Sequence, residues 1–255
     1  MSLLHDRRRK KNPGKQLLPD ELWVWALEHH PILANLSSGE LLELRALTTL
    51  FLQKKEFEGA EGLVLDEGIK TSIAVQACLP ILKLGLHWYD NWHITVVVPT
   101  KFVGERRTRD RAGVVHEWKE IDVGESWDRG PVVLSWRDVQ ASGWADGFNA
   151  VIHEEAHRLD MTDGSMNGRP ALHAEMSVRD WADTCAKAFD HLSRRIERSG
   201  RTRINPYATV SDVEFFAVMA EYFFERGSIL LGEYPDVYRL FSEFYRQDPA
   251  ARGVS

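Results

Sequence analysis

Cysteine is nearly missing from this 255-residue sequence: Cys78 and Cys185 stand alone in separate apolar segments, and neither has a CxxC partner. That spacing argues against a disulfide framework and against cysteine metal ligands, and two buried thiols fit a reducing, cytoplasmic setting. Long apolar runs are missing too. None approaches the ~20 residues that cross a bilayer, and the cationic N-terminus lacks the apolar stretch of a secretory signal. There is no excess of positive charge. Lys and Arg number 32 against 38 Asp and Glu, and the net charge of -6 gives no global drive toward nucleic acid or anionic membrane. No internal repeat is visible. What is present is ordinary for a globular protein, 44% hydrophobic and 27% charged, with nine Trp whose scatter reads as core and surface anchors.

Local pattern divides the chain into a flexible basic arm over 1–18 and one domain over 19–255. Arg7, Arg8, Arg9, Lys10, Lys11 and Lys15 in the arm suit either nucleic acid or acidic lipid, or a merely solvated flexible terminus. Residues 19–90 are helical. A segment opens at Pro19-Asp20-Glu21, a second follows the capping box Ser37 to Glu40, and a third covers Asp66 to Leu82 with Ile69, Ile73, Ala74 and Ala77 inward. Residues 57–62 read as a loop or short strand. Residues 93–136 change period: His93 to Pro99, Val114 to Val123 and Pro131 to Trp136 are expected as three strands of a small antiparallel sheet, with 104–113 a charged loop. Helices resume over 144–250. Trp136 to Gly147 leads into them from the sheet, and they include residues 172–197 ending at Gly200, the Phe-rich Ser211 to Glu225, and Val237 to Arg246.

Within that last block, Val151-Ile152-His153-Glu154-Glu155-Ala156-His157 places two histidines four apart with a glutamate after the first. On a helix both imidazoles share one face, the HExxH arrangement in which two His bind zinc and the Glu is general base. The bland alternative is a pair of surface or core histidines. Catalytic zinc keeps three protein ligands and an open position, so a third ligand is needed. No His follows at short spacing, which turns attention to Glu214 and Glu221, carboxylates seven apart in a Phe-rich helix where an unpaired charge is costly. Glu214 also completes a capping box with Ser211, and spacing leaves ligand and cap even. Asp160, one turn beyond His157, either holds that imidazole or bonds the Gly-rich loop after the helix. Strand 131–136 is either a sheet edge, able to take a substrate strand, or an internal strand.

Several motifs in order resemble the Mlc titration factor A family of zinc metallopeptidases. They are Phe148-Asn149-Ala150-Val151-Ile152-His153-Glu154-Glu155-Ala156-His157-Arg158-Leu159-Asp160, Tyr207-Ala208-Thr209, and Glu214 through Phe224. Further stretches are Gln76 to Leu82, Gly130 to Trp136 and Phe244 to Pro249, so that the likeness spans most of 20–250. The resemblance implies an α+β fold, a mainly helical zincin-like metallopeptidase domain, gluzincin-like and related to the lethal-factor type, with the small sheet ahead of the HExxH helix. It implies one zinc ion held by His153, His157 and Glu214, with Glu154 and Tyr207 catalytic. Asp160 and Glu221 are left to support the ligands. It further implies hydrolysis of aminopeptidase-type peptide substrates and binding of an Mlc-like, glucose-responsive transcription repressor. It gives the basic arm no role.

Overall fold

The computed structural model describes residues 17–100, 107–109, 115–117 and 130–252. All of the expected basic arm except Leu17 and Leu18 lies outside them. Leu18 is already part of the core, its N–H donating to Thr49 Oγ1 at 2.9 Å, which puts the start of the folded chain ahead of the expected boundary.

Helix α1 (Asp20–His29) and α2 (Ser38–Lys54) lead to strand β1 (Glu56–Gly59). The Ser37–Glu40 capping box forms: the Glu40 N–H donates to Ser37 Oγ, and the Ser37 N–H to Glu40 Oε2. Helix α3 (Glu67–Cys78) is shorter than the expected 66–82, and turns carry the chain on through Leu84. Periodicity marks one buried face on α3, but Thr71, Ser72 and Gln76 are buried as well, so this helix is enclosed on all sides.

Strands β2 (Ile94–Val98) and β5 (Val132–Ser135) join β1 in a sheet of order β1-β2-β5. Every pairing in it is parallel, with Glu56 opposite Ile94 and Thr95 opposite Val132. The expectation of an antiparallel sheet is therefore wrong. Parallel neighbours need a long crossover, and α3 lies in the one between β1 and β2. The unbroken Ile94-Thr95-Val96-Val97-Val98 run is also what a strand covered on both faces carries. The residues expected as a charged loop and a middle strand contain a separate antiparallel pair, β3 (Arg107–Arg109) with β4 (Val115–Glu117).

Helix α4 (Trp136–Ala141) follows β5 directly and stops well short of Gly147. Gly143, Ala145 and Gly147 have φ of 86°, 57° and 99°, which no right-handed helix accommodates. This tight turn launches α5 (Ala150–Asp160), whose N-cap Asn149 accepts the Ile152 N–H at 2.9 Å. Helix α6 (Val178–Ser199) begins at the Ser177 cap and ends on Gly200 at φ 60°. Helix α7 (Asp212–Glu225), then α8 (Gly227–Glu233), α9 (Pro235–Tyr245) and α10 (Pro249–Arg252) complete the described chain. Helix α7 is buried from Phe215 to Glu225 and lies along α5, while α9 brings Phe241, Phe244 and Tyr245 against it. Trp181 of α6 stacks on Phe241 with centroids 5.5 Å apart. Helix α5 is thus clamped between α7, α3 and β5.

Candidate metal centre

Val151, Ile152, Ala156 and Leu159 bury one side of α5, which turns His153 and His157 toward the start of α7. There Ser211 accepts the Glu214 N–H at 3.2 Å, but the box is only half made. The Glu214 carboxylate goes to the histidines instead, with Oε2 3.1 Å from His153 Nε2 and 3.8 Å from His157 Nε2. The two imidazole Nε2 atoms are 3.2 Å apart. One ligand atom from each of these three residues falls within 4.8 Å of the others, the one such cluster among the described residues.

The set fits a tetrahedral ion. Ligands at zinc–nitrogen and zinc–oxygen lengths stand about 3.3 Å apart along a tetrahedron's edge, and the three separations here are 3.1, 3.2 and 3.8 Å. Two nitrogens and an oxygen so placed turn lone pairs toward one another, an arrangement that needs a cation or proton between them. Glu214 Oε2 finds no aligned hydrogen-bond donor among the described residues despite its burial. Charge tells the same story. Burial works against a charged His153, but Glu214 and Glu221 outweigh it and hold the imidazole up at about 10. Burial and the neighbouring His153 press His157 down to about 3. Burial raises the Glu214 carboxyl, yet the two histidines bring it below the ordinary range. The pocket favours positive charge at its centre.

Around this set, Glu221 Oε1 lies 2.8 Å from His153 Nδ1, and Oε2 accepts the Asn149 N–H at 2.6 Å. Asp160 is occupied elsewhere. Its two oxygens accept the N–H groups of Gly168 and Arg169, each at 2.8 Å, so it bonds the following loop. His157 Nδ1 has no hydrogen-bond partner among the described residues. The support expected of Asp160 for that imidazole is absent because the loop's N–H groups have claimed the carboxylate.

Tyr207 stands on a one-turn helix over Pro206–Thr209, started by Asn205, whose Oδ1 accepts the Tyr207 N–H at 3.0 Å. Its ring is 6.1 Å from that of His153, and its hydroxyl hydrogen-bonds Glu214. Burial and the Glu214 charge push the phenol above its usual range, which keeps it a proton donor. Glu154 is half-buried and its charge reaches both His153 and Tyr207.

Sequence reasoning passed over three polar residues here. Glu155 is buried with neither oxygen hydrogen-bonded among the described residues, and burial pushes it up to about 8 against the pull of Arg158 and Lys55. Its spacing was a readable signal, four residues after Val151 and four before Leu159 on the apolar face of the helix. Asn149 carried a readable signal, a cap-forming residue just ahead of a helical pattern. Glu225 is one helical turn past Glu221 on the same face of α7, a spacing that was equally visible.

Comparison with known proteins places these residues in context. Residues 4–246 match the family described as glucose-regulated metallo-peptidase M90. Mlc titration factor A of Salmonella gallinarum is 37% identical over 244 residues, covering 94% of this chain and 91% of the relative. The protein of that name from Salmonella arizonae is 38% identical over 236 residues, 91% of this chain and 93% of its own. With the match running through the HExxH helix, the tyrosine turn and α7, the chain belongs to the glucose-regulated metallo-peptidase M90 family.

Proposed function

We propose that this protein is a zinc-dependent peptidase that hydrolyses peptide bonds, with aminopeptidase-like substrates, through a single ion held by His153, His157 and Glu214. The observation carrying this reading is the convergence of those three side chains beside Glu154 and Tyr207. Zinc, when bound, acidifies its water and polarises the scissile carbonyl. In this scheme Glu154 takes the proton of the attacking water and returns it to the leaving amine. Tyr207 keeps its own proton and donates a hydrogen bond to the developing oxyanion. Glu221 accepts from His153 Nδ1, fixing the tautomer that leaves Nε2 free to ligate. Strand β5 pairs on one side only among the described residues, and its outer edge suits an extended substrate strand.

The test is Glu154→Gln. The variant is expected to bind zinc as wild type does while peptide cleavage falls by about 10²-fold or more. Cleavage at the wild-type rate by zinc-loaded variant overturns the assignment.

A second activity is proposed beside it, sequestration of an Mlc-like, glucose-responsive repressor. It is supported by the name its relatives carry, Mlc titration factor A. Both roles suit a cytoplasmic protein. Among the described residues no helix is long and apolar enough to cross a membrane. Purified repressor is expected to form a complex with Glu154→Gln as with wild type, and no complex at micromolar concentration removes this reading.

A further inference from the structure

Asn149 has no exposed surface, and each polar group of its side chain is used. Its Oδ1 accepts the Ile152 N–H at 2.9 Å. Its Nδ2 donates to Gln76 Oε1 on α3 at 2.9 Å and to Glu225 Oε1 on α7 at 2.8 Å. Its backbone N–H donates to Glu221 Oε2 at 2.6 Å, and the other oxygen of that carboxylate meets His153 Nδ1 at 2.8 Å. Glu225 Oε1 also accepts the Gly143 N–H at 3.1 Å, gripping the far end of the turn that launches α5. One residue therefore starts the HExxH helix, ties it to two others and holds the carboxylate that orients the first histidine.

Capping alone does not account for this. Ser, Asp and Asn cap helices about equally well, but of these only Asn offers an acceptor for Ile152 together with two donors for Gln76 and Glu225. Asp has the shape of Asn and keeps the cap, yet it aims an oxygen where a donor is required, against the carboxylate of Glu225. A buried acceptor facing acceptors is costly, and the turn has to move to relieve it. Because the Asn149 N–H is part of that turn, Glu221 and His153 move with it.

We infer that Asn149 is a positioning residue for the metal centre, setting the direction of His153 through Glu221 and itself set by Glu225 and Gln76. The inference rests on the metal-centre reading above for its consequence, though the contacts stand without it. Loss of a residue that orients a ligand through its hydrogen bonds weakens metal binding by about 10- to 100-fold.

The test compares wild type, Asn149→Asp, Glu225→Gln and the double variant Asn149→Asp/Glu225→Gln. In the double variant a Gln amide donates to the Asp carboxylate, restoring the pair with donor and acceptor exchanged. Zinc affinity is read by competition with a chromophoric chelator, and the His153 Nδ1–H by imidazole 15N NMR on metal-free protein. Asn149→Asp is expected to bind zinc about 10- to 100-fold more weakly and to lose the slowly exchanging Nδ1–H signal. The double variant is expected to recover most of both. A purely structural Asn149 lowers the melting temperature but leaves both readouts of the folded protein unchanged. Affinity within threefold of wild type with the signal intact, or a double variant no better than Asn149→Asp, overturns the inference. If Asn149→Asp does not fold, Asn149→Ser, which caps without adding charge, takes its place with the same expectation for both readouts. Should wild type bind no zinc, the peptidase reading fails separately, and the NMR signal still decides the role of Asn149.

Discussion

Tyr207 and Glu225 are side chains whose protons are set by their surroundings, with opposite uses. Burial and the charge of Glu214 hold the Tyr207 proton in place, so the hydroxyl stays a hydrogen-bond donor. Tyr207→Phe is expected to lower kcat by about 10²-fold with KM little changed, the pattern of a contact made in the transition state. Steady-state kinetics on zinc-loaded variant check it, and a loss confined to KM rejects the role. Glu225 has its carboxyl raised to about 7 by burial, against hydrogen bonds led by that of Asn149. The folded chain then keeps a proton that the unfolded chain releases near pH 4.5, so stability from this group is full below that pH and falls toward pH 7. Urea midpoints for Glu225→Gln are expected to lose this part of the decline between pH 4.5 and 7, and a slope equal to wild type contradicts it. At this scale the sequence was uneven. His153 and His157 were legible as a pair because one helix face suffices to bring them together. Glu214 was not legible alone, since Ser211-Asp212-Val213-Glu214 describes a capping box as well as a ligand, and only the direction of the carboxylate separates the two.

Elements were legible where a local signal marks them. Ser37, Asn149, Ser177 and Ser211 cap the helices they precede, and Gly200 ends α6. The direction of the sheet showed only in the unbroken run Ile94 to Val98, because alternation and β-branching describe a strand's faces and say nothing of its partner. The loop after α5 shows what such junctions do. Gly168 has φ of 79°, its N–H bonds Asp160, and a Cβ there meets the Asp212 carbonyl oxygen at 2.4 Å. Gly168→Ala therefore pushes the loop against the first turn of α7. The expected cost is on the order of 2–3 kcal/mol, from backbone strain and the clash together. Because Glu214 lies in that same turn, zinc affinity is expected to fall with it. Urea unfolding with and without zinc tests both, and a variant as stable as wild type refutes the argument.

Across the whole molecule, the candidate metal centre joins segments that the chain keeps 61 residues apart, His153 on α5 and Glu214 on α7. Their approach is fixed by the aromatic core, in which Trp181, Phe216, Phe223 and Phe241 hold α6, α7 and α9 together. It is fixed from the other side by Gln247, whose Nε2 reaches the carbonyls of Leu79 and Pro80 beyond α3. An ion that binds only this folded arrangement stabilises all of it. At one hundred times its dissociation constant it adds about 2.7 kcal/mol, which for a chain of this size is about 5–10 °C in Tm. Stripping zinc with a chelator is expected to lower Tm by that much in wild type and by nearly nothing in Glu214→Ala, whose set of ligands is broken. A chelator shift of equal size in both proteins means that metal binds elsewhere, and the joining of α5 to α7 through an ion is then wrong.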